Sequence, residues 1–508
     1  MLSGSNNYSG TTNITVGALN ITNATALGST AAGTTVSSGA ALQLEGGITV
    51  SGESLSLAGS GVSSDGALRN MSGTNTWTGS ISVDLLGAVN IGNRVGGLNR
   101  LQSDTTSHLV LSGPVSIAVG TFNGTAGTSA ALILQGNGTG EISGNITGGV
   151  AGAMTVARGA GGTGAWKLSG SNTYLGYTGI NTNEVIVAGG AAIPDTSLVY
   201  FLGAGSLTLE ASETIGSLTS DATTASINLN SHTLTIGADN STPVAPGGAT
   251  TYIGSIIGTG GIVKVGTGRL TLSGSTSYSG STIVKGGTLA LGLNGSFGSS
   301  PTITIGDAGS SGAVLDISAK TGTFTFAGSQ TVGGIGTLKV GAGKTAAFAG
   351  IFAPGNSAGI FTLDGGTTLL SGTTQIEILG SARGTGYDAV DLINSAVLDY
   401  GNGVLALDFG SWLADQQSYQ LFGSGLQSLL GDFSSVTIAG SNYTGLTFTG
   451  SSGVWTSQGT SPANQTLTFT EATGTLVIVP EPAGIALAVL GLATAALARR
   501  RSRGAYSP

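Results

Sequence analysis

The stretch from Gly261 to Gly292, GIVKVGTGRLTLSGSTSYSGSTIVKGGTLALG, constrains the fold more than any other part of the chain. Its apolar residues alternate: Val263 and Val265 flank Lys264, Leu270 and Leu272 flank Thr271, and Leu289 and Leu291 flank Ala290. A period of two belongs to a strand and excludes a helix. Between these runs sit Gly-Thr-Gly, Ser-Gly-Ser and Gly-Gly, which reach the left-handed backbone conformations of sharp corners without a side-chain clash. Short strands joined by tight corners are expected, with Val and Leu inward and Ser, Thr and Lys outward.

The same unit recurs. Leu2-Ser3-Gly4 to Gly10 matches Leu272-Ser273-Gly274 to Gly280, with Tyr8 standing where Tyr278 stands. A third copy runs from Leu168-Ser169-Gly170 through Tyr174 to Gly176, and a fourth has Met71-Ser72-Gly73, Trp77 and Gly79. In each, the aromatic follows the first glycine by four residues and precedes the second by two. Fixed spacing separates a repeat from a mere Gly/Ser/Thr bias. Further strands are expected at Ala41–Leu44, His108–Leu111, Ala131–Leu134, Ser206–Leu209, Ser226–Leu229, Thr233–Ile236 and 336–340. Repeats over so long a stretch point to stacked coils, each burying its apolar face against its neighbours, rather than to a two-sheet sandwich. The expected fold is all-β: a right-handed parallel β-helix with a C-terminal β cap and one C-terminal transmembrane helix.

Composition supports order. The 40 % hydrophobic content and only 8 % charged residues are the reverse of a disordered chain. Four of the 16 basic residues are Arg499, Arg500, Arg501 and Arg503, whereas of 24 acidic residues only Glu481 lies beyond residue 480. The body is therefore acidic and offers no footprint for nucleic acid. With no cysteine in the chain, disulfides, thiolate metal sites and a cysteine nucleophile are all excluded.

The pattern G-x-L-x-L-S-G-x-x-x-Y-x-G-x-T followed by G-G-T-L, best matched between Arg269 and Leu289, resembles the autotransporter-associated β-strand repeat of bacterial surface passengers. That resemblance implies a β-helical exported body and says little of activity. From Ile351 the grammar changes. Ala353-Pro354-Gly355-Asn356-Ser357-Ala358-Gly359 and Gly386-Tyr387-Asp388-Ala389-Val390-Asp391 are similar to motifs that follow such repeats in related exported proteins. Strands are expected at Thr374–Leu379, Val404–Phe409 and Tyr419–Phe422. Trp412, Tyr419, Phe422, Phe433, Tyr443 and Trp455 then form an aromatic patch suited to closing a stack. The domains are expected at 1–350 (repeat region), 351–479 (cap) and 480–508 (tail). Because Leu2 enters the repeat without its preceding strand, and no basic, apolar leader is present, a further N-terminal part with a signal peptide is expected before Met1.

The tail reads Pro480-Glu481-Pro482, then Ala483–Ala498 without a charge, then Arg499-Arg500-Arg501-Ser502-Arg503. As a helix the uncharged run would be about 24 Å long, close to a hydrocarbon core of ~30 Å, and the arginines after it would stay cytoplasmic. This three-part tail resembles the PEP-CTERM sorting signal of Gram-negative bacteria. The resemblance implies an exosortase-type membrane partner that recognises Pro480, Glu481 and Pro482. It also implies a precursor held in lipid through Ala483–Ala498 with Arg499, Arg500, Arg501 and Arg503 as stop-transfer residues. Delivery would be to the cell surface or extracellular matrix of an exopolysaccharide-producing bacterium.

No catalytic, cofactor or metal site is expected. His108 and His232 lie in strand-like contexts with no motif around them, and no G-x-S-x-G elbow is present. Gly341-Ala342-Gly343-Lys344-Thr345 resembles the end of a phosphate loop, but Leu338 occupies the position of the required first glycine, so a turn is expected. Asp388, Asp391, Asp399 and Asp408 show no acid–base spacing; Asp388 and Asp391 are expected to cap turns. The function expected is that of a non-enzymatic surface or matrix protein of adhesin-like type, with a polysaccharide-active or polysaccharide-binding β-helix as the alternative.

Overall fold

The computed structural model describes residues 1–84, 98–104, 106–122, 125–160, 162–244, 248, 250–412, 417–423, 428–459 and 465–480. The chain divides into two compact units, Met1–Thr321 and Gly322–Pro508. The change of grammar at Ile351 falls inside the second.

Within the first unit, successive passes of the chain lay strands side by side in parallel ladders. One passes through Gly17–Ile21, Ala40–Glu45, Leu68–Ser72, Leu98–Ser103, Ala131–Gln135, Ile146–Arg158, Leu175–Ile180 and Val199–Phe201. A second passes through Thr74–Trp77, His108–Leu111, Thr139–Ile142, Trp166–Leu168, Glu184–Val187 and Ser206–Leu209. A third joins Thr12–Ile14, Thr34–Val36, Leu55–Leu57, Ile81–Val83 and Val115–Ile117. Partners such as Leu109 and Gly140, or Val185 and Leu207, lie roughly 20–30 residues apart in sequence, the length of one repeat in a stacked array. Strands of three to six residues that alternate buried and half-buried positions, as Glu184–Val187 and Ser206–Leu209 do, place every second side chain in the interior. Burial of each Leu, Val or Ile there stabilises the unit by about 1.5–3 kcal/mol. All-β structure with parallel strands in stacked sheets is thus present, a pattern consistent with a β-helix. Most expected strands are found within a residue or two of their expected limits.

The reference copy shows one reversal. In strand Ile262–Lys264 the interior residues are Ile262 and Lys264, whereas Val263 is half-buried on the other side. The sequence pattern placed Lys264 outward. Its ammonium is accommodated because the Nζ donates to the carbonyls of Val265, Gly266 and Gly286, so turn carbonyls do the work of a counter-ion. Burial pushes this group down to about 8, with Asp239 opposing. Arg158 repeats the arrangement: its guanidinium is buried and donates to Leu134, Gly136, Gly159 and Gly164 carbonyls.

The repeat aromatic has a specific task. Tyr278 and Tyr174 are buried, and the hydroxyl of each lies against the threonine four residues on: 2.7 Å to Thr282 and 2.6 Å to Thr178. Tyr8, which is partly exposed, makes the same bond to Thr12 at 2.7 Å. In the fourth copy Ile81 stands at the threonine position, and the Trp77 indole N–H has no partner among the described residues. The bond therefore ties each tyrosine corner to the following strand, at its first residue for Thr12 and Thr282 and within it for Thr178.

Glycine at these corners is needed for closeness. A methyl group at Gly113, Gly144 or Gly170 would run into the carbonyl oxygen of Gly79, Gly113 or Gly144 respectively, one pass earlier.

In the second unit the parallel pattern continues beyond Ile351. One ladder joins Thr331–Gly334, Ile351–Pro354, Thr373–Glu377, Val404–Asp408 and Ser435–Ala439; another joins Thr323–Phe326, Thr345–Phe348, Thr367–Leu370, Val397–Asp399 and Ser428–Leu430. Phe326, Phe348, Phe352 and Phe361 form a continuous series of ring contacts, with centroids 4.7 to 5.2 Å apart. An antiparallel sheet follows, in the order Ser418–Gln420, Thr475–Pro480, Gln465–Thr470, Val454–Gln458, Thr447–Ser451. Phe469 of this sheet packs with Tyr400, Phe422 and Phe433, so the aromatic patch joins the sheet to the parallel strands. Buried Glu471 secures the junction: its carboxylate accepts from the Phe433 N–H at 2.7 Å and the Trp455 indole at 2.8 Å, and its carbonyl accepts from the Tyr400 hydroxyl at 3.0 Å.

Candidate functional site

Of the expected sorting residues, Pro480 ends strand Thr475–Pro480, paired with Gln465. Proline cannot extend a ladder from its nitrogen and suits such a strand end. Glu481, Pro482, Ala483–Ala498, Arg499, Arg500, Arg501 and Arg503 lie outside the described residues. Among the described residues no helix is long and apolar enough to cross a membrane.

The two motifs of the second unit meet in space. Asp388 is buried and accepts from the Gly359 N–H at 3.0 Å and the Glu377 N–H at 2.8 Å. A side chain at Gly355, where φ is +94°, would collide with that carboxylate. Asp388 therefore holds the Pro-Gly-Asn-Ser loop against the neighbouring strand instead of capping a local turn as expected. Burial pushes its carboxyl up to about 7 despite these hydrogen bonds, and the nearby Glu377 adds to the rise. Asp391 also departs from a turn cap, pairing with Arg383 at 2.7 Å. Asp399 and Asp408 do cap turns, accepting from the N–H of Gly401 and Gly410 at 2.9 and 2.8 Å. Asp408 stands beside Glu377 across the ladder. Burial, with the Asp408 charge second, raises the Glu377 carboxyl.

His108 bonds Thr139 at 2.7 Å through Nδ1. The Gly341–Lys344 segment is a turn leading into strand Thr345–Phe348, as expected. Among the described residues no three His, Asp or Glu side chains converge as a metal site requires.

A groove of about 610 Å³ lies in the first unit, over the outer face of the sheet that contains Ala131–Gln135 and Ile146–Arg158. Its floor is Ile133, Ala157 and Met154, with Leu202 alongside. Along one wall Gln135 Nε2 donates to Gln102 Oε1 at 2.8 Å and to the Ser64 carbonyl at 3.1 Å, and Gln102 Nε2 donates to Asp104 at 2.8 Å. Ser63 and Ser64, with φ of 53° and 66°, line the groove beside this wall. Asn137 and Asn181 also line the groove. Sequence reasoning missed these residues. The one available signal was the repeated Leu-Gln at 101–102 and 134–135, which the ladder sets side by side.

Fold and corners together define a repeat-built β protein with parallel strands. The Passenger-associated-transport-repeat model matches residues 1–21 and 262–291, the copies containing Tyr8 and Tyr278. Over 120 residues, 24 % of this chain, the sequence is 33 % identical to the adhesin BmaC autotransporter of Brucella suis biovar 1 (strain 1330). The match spans 3 % of that adhesin's length. No solved structure gives a significant match.

Proposed function

We propose that the chain is an exported, adhesin-like protein of the cell surface or extracellular matrix, built on a right-handed parallel β-helix and non-enzymatic. The observation that carries this reading is the match of its clearest copies to a passenger repeat, supported by the similarity to an adhesin. Sorting is assigned to Pro480, Glu481 and Pro482, read by an exosortase-type enzyme. Ala483–Ala498 engages lipid, and Arg499, Arg500, Arg501 and Arg503 are retained on the cytoplasmic side.

Removal of Glu481–Pro508 tests the tail, because it leaves the strand Thr475–Pro480 whole. The truncated chain is expected in the medium instead of the membrane fraction, with an unchanged circular dichroism spectrum. Continued membrane retention would sink the anchoring role. A second reading, polysaccharide binding, is favoured by the amide-lined groove of the first unit.

A further inference from the structure

The geometry points to the groove above Ile133 and Ala157 as a binding site for a neutral oligosaccharide. This inference rests on the surface-protein reading and names a ligand class and a place for it.

The volume of about 610 Å³ lies within the roughly 300–1,000 Å³ usual for small-ligand sites. Apart from Asp65 and Arg158, its polar side chains are amides and hydroxyls. An amide offers acceptor and donor side by side, which matches a sugar hydroxyl pair acting as donor and acceptor at once. Two of these amides are oriented in advance. The Asn137 oxygen accepts from the Thr163 N–H at 3.0 Å, which turns its NH₂ away to donate elsewhere. Gln135 spends its NH₂ on Gln102 and Ser64, which leaves its oxygen as an acceptor. The aliphatic floor of Ile133, Ala157 and Met154 suits the C–H face of a sugar ring.

Charge selects against acidic ligands. Arg158 lines the groove, but its guanidinium is buried and directed to backbone carbonyls. Asp65 at the rim pairs with Arg69. An anionic sugar or nucleic acid would therefore find no available cation among the lining residues. A peptide is disfavoured for a different reason. Strand addition needs an open sheet edge, and Leu132–Leu134 is paired on both sides, to Asn99–Leu101 and Val156–Arg158.

The two serines carry a second sign of function. Left-handed conformations in residues other than glycine are strained, and strain of this kind persists only where the surroundings enforce it. Here Gln135 does so from 71 residues away in sequence, through the Ser64 carbonyl. Glycine at either position would relieve the strain, so the serines cost stability and place two hydroxyls at the rim.

Isothermal titration of the full-length chain with neutral gluco-, galacto- and manno-tetrasaccharides, and with tetrasaccharides of uronic acids, tests the assignment. At least one neutral tetrasaccharide is expected to bind. Asn181→Leu and Ser63→Gly should each weaken it by about tenfold or more, while Ser63→Gly raises the melting temperature. Binding unaffected by both variants, preference for the uronic acids, binding of none of the sugars, or displacement by an extended peptide would each overturn it. Surface labelling of intact cells separates the two levels of the argument. Exposed protein with no groove-dependent sugar binding defeats the site alone, whereas protein absent from the surface defeats the reading on which it rests.

Discussion

The repeated corner of this chain is set by single atoms. Gly144 sits so close to the Gly113 carbonyl that one methyl group has no room. Gly144→Ala is therefore expected to force the two passes apart and destabilise the first unit by about 1–3 kcal/mol, in the range of other overpacked sites, measured by urea unfolding. Tyr278→Phe is the milder test. It removes one hydroxyl, but Thr282 keeps its bond to Ser300 at 3.1 Å, so a loss of about 1 kcal/mol is expected. A loss above 3 kcal/mol would mean that the tyrosine does more than tie a corner. Residue-level inference from sequence worked where the chemistry was local, as in the spacing of Tyr8, Tyr174 and Tyr278. It failed at Lys264 because Ile-Val-Lys-Val offers two alternating registers. The ladder chose the one with Ile262 inward, and the acceptors for the ammonium include Gly286 from a later pass. No local pattern reports such a partner.

At the scale of elements, strands were legible because each carries its own period, whereas their partners were not. The antiparallel sheet at Ser418–Pro480 illustrates the difference: its aromatics announced a closure, but its pairing direction emerged only in three dimensions. The groove was illegible for the same reason, its walls being drawn from passes near residues 63, 102, 135 and 181. The cap gives its own prediction. Phe469 contacts Tyr400, Phe422 and Phe433, so Phe469→Ala should cost about 3–5 kcal/mol and expose the junction. Proteolysis is expected to cut first near residues 447–470 in this variant. An unchanged digestion pattern would show that the sheet is held by other means.

Across the whole molecule, buried carboxyl groups make stability depend on pH in an unusual direction. Glu213 in the first unit and Asp388 in the second are each pushed up to about 7, chiefly by burial. A folded state that binds protons more tightly than the unfolded chain loses stability as pH rises from the ordinary carboxylate range through that value. The chain should therefore melt higher near pH 5 than near pH 8; ion pairs such as Lys285–Asp307, whose carboxyl is held below the ordinary range, lose their contribution only at lower pH. Glu213→Gln isolates the effect. One carboxylate oxygen accepts from the Ile193 N–H at 2.8 Å, a bond that the amide oxygen of the variant can keep. The variant should equal the parent at pH 4 and exceed it by about 1–3 kcal/mol at pH 8. Equal stability at both values would remove Glu213 from the account.

The in-register ladders also bear on inheritance. Most strands within a ladder pair only with their counterparts one pass earlier and one pass later, as Val185 does with Trp166 and Leu207. When recombination between similar stretches of the gene removes or duplicates one pass, the new neighbours meet through surfaces of the same kind. The number of passes can then change in whole steps over generations, while a groove drawn from several passes survives only where their order is preserved.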